Sequence, residues 1–149
     1  MATIKYAAGT KLLVKLGDGA SPETFTHYCT VNAEREFSLE ANVNEDVVPD
    51  CDDLEAPGWV SRTVASLSGT ITGQGMLNTP DFPEFWAFLV EGVSRNCQVV
   101  LDVEADDGGS IVEGRFLLTT LSMSGNRGEK MQGAITLQSD GPLELVANE

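Results

Sequence analysis

The sequence predicts a mainly β chain, an antiparallel β-sandwich or barrel with one flanking α-helix at about residues 81–91 and a long acidic loop. Three observations carry this expectation. Most apolar residues alternate with polar ones at a period of two, as half-buried strands require. Glycine-rich turn signals separate these runs at short intervals, and only one stretch has a helical period. Strands joined by short turns with a single inserted helix indicate an antiparallel sandwich or barrel.

The strands are predicted in order. Residues 11–16 (KLLVKL) end at the turn Gly17-Asp18-Gly19. Phe25, His27, Cys29 and Val31 then alternate with Thr24, Thr26, Tyr28 and Thr30, and residues 34–40 (EREFSLE) continue the strand character. The run from 63 onward, rich in Ser, Thr and Gly, feeds the helix. Beyond the helix come residues 97–103, a turn at 105–109, and a run from 111 to 123. In that run Val112, Gly114, Phe116 and Leu118 are in phase, but Leu121 and Met123 are not. A β-bulge near Thr119-Thr120 restores the register. Residues 130–138 and 143–146 complete the set.

The helix is marked at both ends. Asp81 followed by Glu84 has capping-box form, Pro83 stands in the first turn, and Gly92 stands where a left-handed residue closes a helix. Phe82, Phe85, Trp86, Leu89 and Val90 form the core-facing stripe, and Phe88 adds to it. This leaves Glu84 and Glu91 to meet water. A helix with so narrow a polar strip needs cover on more than one face, so Phe82, Phe85, Trp86, Phe88 and Leu89 are candidates for an inter-subunit contact as well as for the core.

Between 41 and 58 the sequence ANVNEDVVPDCDDLEAPG has no base and no period, and it reads as a structureless connection. It is a solvated acidic loop or a partly formed hairpin, or else an arm that orders against another copy of the chain. Candidate contact residues of such an arm are Glu45, Asp46, Val47, Val48, Asp50, Asp52, Asp53, Leu54, Glu55 and Trp59.

A chain of 149 residues suits a single domain, here 1–149 with the arm at 41–58. Twenty-three acids against nine bases give a formal charge of −14, which repels phosphates and argues against DNA binding. No apolar run approaches the roughly 20 residues of a membrane span, and no apolar signal core follows the N-terminus. A soluble protein made in the cytosol, without membrane contact, is expected. Cys29, Cys51 and Cys97 form no CxxC pair and read as reduced thiols, with Cys29 and Cys97 buried in strands.

Chemistry finds no foothold in the sequence. His27 is the only histidine, and in a strand it reads as a packed or hydrogen-bonded residue. Neither Asp102 nor Glu104 starts a calcium loop in register. Gly69, Gly73 and Gly75 lack the Lys of a phosphate loop, and no GxSxG nucleophile is present. The chain is expected to be no enzyme, with no cofactor and no metal.

Taken together, the acidic arm ending in Gly58-Trp59, the run SLSGTITGQG, the helix DFPEFWAFLVEG and the C-terminal ITLQSDGPLEL resemble the tail tube (major tail) proteins of long-tailed phages and gene transfer particles. The likeness covers most of the chain. It implies a structural virion protein that forms stacked hexameric rings of a hollow tail tube, made in the host bacterial cytoplasm. Its electronegative lumen would conduct DNA without specific binding. The implied partners are further copies of the chain, a tape-measure protein, a tail terminator and baseplate or distal tail proteins. Ser66, Ser68, Thr70 and Thr72 are candidates for the lumen face. The alternative is a soluble β-sandwich binding or decoration module that forms no tube.

Overall fold

The computed structural model describes residues 3–17, 25–27 and 30–148. Its elements are β1 (Leu12–Gly17), β2 (Phe25–His27), β3 (Glu34–Val48), β4 (Trp59–Met76), α1 (Asp81–Glu91), β5 (Arg95–Leu101), β6 (Ser110–Ser124) and β7 (Gln132–Ala147). Short 3-10 turns stand at Gly9–Lys11 and Ala105–Asp107. The strands make one antiparallel sheet in the order β2-β1-β5-β6-β7-β4-β3. The ladder does not join β2 to β3, so the sheet is not closed into a barrel.

β6 and β7 run through the whole sheet and hinge it. Their first pairing segment, 110–114 with 143–147, carries β5, β1 and β2; their second, 116–124 with 132–139, carries β4 and β3. At the junction residues 140–142 of β7 stand opposite Arg115 alone, and Gly141 takes φ 104°. A positive φ is cheap only for glycine. Through this kink the two halves turn the same face of the sheet inward. Val14, Leu16, Cys97 and Val99 from one half meet Ile71, Phe116, Leu118, Ile135 and Leu137 from the other in one cluster. A second register shift lies between Leu118 and Thr120, where the sequence demanded a bulge, and it restores Leu121 to the inner side.

The helix spans the predicted residues and ends on Gly92 at φ 66°. Its start differs from the capping-box expectation. Pro80 is the N-cap, no side chain caps the first turn, and the Asp81 carboxylate turns into the protein. There it accepts from the Thr30 backbone N–H at 3.1 Å and the Thr30 hydroxyl at 2.9 Å, while the Asn78 N–H donates to that hydroxyl oxygen. A buried carboxylate needs such donors, and Thr30 supplies two of them. Phe85 and Phe88 fill the core, with Leu89 packed partly against it. The expectation that only Glu84 and Glu91 face water is corrected, because Trp86 and Val90 are exposed too.

The glycines of β4 have a steric role. A Cβ on Gly73 would stand 2.8 Å from Val31 Cγ1, and one on Gly75 would stand 2.3 Å from Asn32 Oδ1 and 2.7 Å from the Thr30 carbonyl oxygen. Segment 30–33 therefore lies directly on this strand, with Asn32 bonded to both the N–H and the carbonyl of Met76. Cys97 is buried in β5, and His27 Nδ1 lies 3.2 Å from the Val14 carbonyl oxygen, each within the reading given to it. Cys29 lies outside the described residues. Gly75→Ala is expected to destabilise the chain by about 1–3 kcal/mol, because the Thr30 backbone carbonyl as well as the hydrogen-bonded Asn32 side chain must give way. Chemical denaturation checks this, and an unchanged midpoint would mean that segment 30–33 is not held against β4.

Candidate assembly surfaces

Over 41–58 the structure shows the hairpin alternative and not a wholly structureless connection. Its first part, through Val48, is the second half of β3, paired with the first part of β4 from Asn42↔Ser66 to Val48↔Trp59 with one register shift between Asn42 and Val43. Only residues 49–58 connect the strands. Asp50 Oδ1 accepts from the Asp52 N–H at 2.9 Å and Asp53 Oδ1 from the Glu55 N–H at 3.2 Å, so two of the acids fold the turn locally. At the turn's end Gly58 admits the chain, since a Cβ there would stand 2.9 Å from the Val48 carbonyl oxygen.

The acidic arm is thus a two-stranded ribbon. β7 pairs with β4 only from Thr70 onward, so residues 59–68 run free of the rest of the sheet, on the order of 30 Å at roughly 3.3 Å per residue. Of the predicted arm residues, Glu45, Asp46, Val47 and Val48 lie on β3, Asp50, Asp52, Asp53, Leu54 and Glu55 in the turn, and Trp59 opens β4 at 85% exposure. The sequence reading missed Leu39, Val43, Val60, Val64 and Leu67, which are exposed along the same ribbon. It also missed Arg62, whose Nε donates to Glu45 Oε1 at 3.0 Å across the strands.

A second surface is the outer face of the four-stranded half, β6-β7-β4-β3. Register places Glu36, Thr72, Thr136 and Thr120 in one cross-strand row, and Glu34, Gln74, Ala134 and Ser122 in the next. Gln74 Nε2 donates to Glu34 there. Ser66, Ser68, Thr70 and Thr72, the predicted wetted residues, share this face, opposite to Ile71 and Gly73. Its charged members among the described residues of these rows are acids of β3, a feature legible in the alternation of Glu34, Glu36, Ser38 and Glu40 with Arg35, Phe37 and Leu39. Among the described residues this half has two unpaired edges, β3 on one side and residues 117–124 of β6 on the other.

The predicted helix contacts divide. Phe85 and Phe88 belong to the chain's own core, Leu89 and Phe82 are half-buried, and Trp86 is 57% exposed beside Phe82, their rings 6.1 Å apart. No group of His, Cys, Asp and Glu among the described residues could hold a metal ion. No described helix is long and apolar enough to cross a membrane.

A family model described as phage tail tube protein matches residues 6–145. The chain belongs to the phage tail tube protein family. Its members are structural proteins and not enzymes. Among solved structures, a tail of an empty GTA particle, described with C6 symmetry, is similar at 24% identity and a TM-score of 0.75, covering 95% of this chain and 100% of that one. A chain from the virion of a native gene transfer agent gives 23% identity and 0.74 over the same shares. The SPP1 tail tube gives 15% identity and 0.54, over 95% of this chain and 79% of that one. A sequence search against curated proteins returns no match.

The ribbon can be removed without touching the core cluster, because none of its residues beyond position 42 belongs to that cluster. Replacing residues 43–64 by an Asn-Gly turn is expected to leave a cooperatively folded body with a melting temperature near that of the full chain. Loss of the cooperative transition by calorimetry would show instead that the ribbon supports the body.

Proposed function

We propose that this tail tube protein forms stacked hexameric rings of a hollow tube, in which residues 1–149 act as one domain and the ribbon reaches across to another copy. The observation that carries this reading is the pair of open edges on the four-stranded half. An even number of antiparallel strands sends β6 and β3 in opposite directions. A rotation about an axis along the strands therefore brings β3 of one copy beside β6 of the next as a further antiparallel pair. Each subunit has one donor edge and one acceptor edge, so the contact is head-to-tail and the ring closes with no edge left over.

In such a ring the polar outer face becomes the wall of the lumen. Its rows of Ser, Thr and Gln, with Glu34, Glu36 and Glu40 and no base among them, repel phosphate, so DNA slides through without being gripped. The C6 symmetry described for the similar GTA tail supports six copies. The protein would then reside in the virion tail after assembly in the host cytoplasm, with a tape-measure protein inside the tube and terminator and baseplate proteins at its ends.

Negative-stain microscopy of the purified chain, alone and with a tail initiator complex, tests this. Rings or tubes with six-fold end views are expected. A monomer under every condition contradicts the reading and favours a soluble binding or decoration module.

A further inference from the structure

The ribbon's two faces differ in chemistry, and the difference follows from register. On β3 the core-side phase of Phe37 continues through Leu39, Ala41, Val43, Glu45 and Val47. On β4 the matching phase runs inward from Ile71 through Gly69 to Leu67. There a register shift between Asn42 and Val43 leaves Ala65 unpaired and sets Val64, Arg62 and Val60 opposite Val43, Glu45 and Val47. Without that bulge, Val64 and Val60 would fall on the other side. The shift thus gathers Leu39, Val43, Val47, Val60, Val64 and Leu67 on one face, each at least 44% exposed. Asn42, Asn44, Asp46, Ser61, Thr63 and Ser66 occupy the opposite face, which is polar along its length until Val48 and Trp59 pair at its tip.

Resting on the tube reading above, we propose that the apolar face of the ribbon, and not its polar face, is the surface covered by a second copy of the chain on assembly. Three features favour that occupant. The face is continuous with the inward side of the sheet, so burying it extends a packing surface the subunit already has. Its only charges, Arg62 and Glu45, neutralise each other at 3.0 Å. A second copy, itself at formal charge −14, can therefore settle on it without burying an unpaired charge. The face also borders the free edge of β3, where the ring contact would lie. A nucleic acid finds no cluster of bases here. The polar face meanwhile continues the phase of Ser68, Thr70 and Thr72 and extends the wetted wall.

Single cysteines at Val43→Cys and Val64→Cys on one face, and at Asn44→Cys and Thr63→Cys on the other, in a Cys51→Ser background, test this in the full chain. Maleimide labelling is read peptide by peptide, before and after tube formation. Positions 43 and 64 are expected to label at least about tenfold more slowly in tubes, and positions 44 and 63 to change less than about twofold, since thiol reaction follows access. Charge gives a second readout: Val64→Asp is expected to abolish tubes and Thr63→Asp to permit them, both with the circular dichroism of the parent subunit. Tubes in which both faces label alike, or in which only 44 and 63 are protected, overturn the face assignment and leave the tube reading standing. Protection of 43 and 64 only in complete tails, and not in tubes of the pure chain, gives the face to another tail protein and likewise overturns it. Failure to form tubes under any condition removes both readings.

Discussion

The kinked β6–β7 hairpin is the constraint on which the rest of this structure depends. A flat seven-stranded sheet would have two faces to cover and only one helix with which to cover them. By bending where residues 140–142 pass Arg115, the hairpin lets one sheet supply both walls of its own core. Phe116, Leu118, Ile135 and Leu137 sit just beyond the bend and are almost fully buried. The same bend frees what lies outside the fold. β5 follows β6 only to Phe116, so the rest of β6 is left as an edge, and β4 leaves β7 at Thr70, so the ribbon is left as an arm. Edge, arm and polar wall are consequences of how far each partner strand accompanies the hairpin.

Exposed edges and apolar faces are hazards for a protein that stays alone. Here they coincide on one half of the molecule, with the two edges on opposite sides of it and the ribbon as an extension of one. The opposite directions of β3 and β6 make the edges complementary to each other and not to themselves, which suits a ring or filament more than a two-fold dimer. The strong negative charge fits the same account. In the proposed tube it would keep free subunits apart, keep the wall from holding DNA, and leave specific contact to apolar and backbone groups.

Much of this was legible in the residues. Period-two alternation placed the strands, Pro83 and Gly92 bracketed the helix, and the phase break between Leu118 and Leu121 located a bulge that the structure contains. The fold class held in its mainly β, one-helix form, without closure of the sheet. Two errors share a physical cause. The stretch 41–58 looked structureless because its acids and its two prolines dominate the local signal, whereas what orders its first half is pairing with residues 59–66, and the Ala65 bulge hides the period of those partners. Likewise Asp81 looked like a capping residue, since the helical pattern is local and Thr30 lies far away in sequence. The tail tube resemblance was carried by the order of elements, which is why it survived both errors.

The ring seam is the central claim, and hydrogen exchange tests it most directly. Unpaired edge amides exchange rapidly, and amides in a ladder are protected. Exchange of the edge-facing amides in residues 117–124 of β6 and along β3 is to be measured by mass spectrometry on free subunits and on assembled tubes. The account predicts that both edges slow together on assembly, while the exposed turn at 49–58 need not follow them. Tubes that form with the β6 edge exchanging as fast as in the free subunit would contradict it.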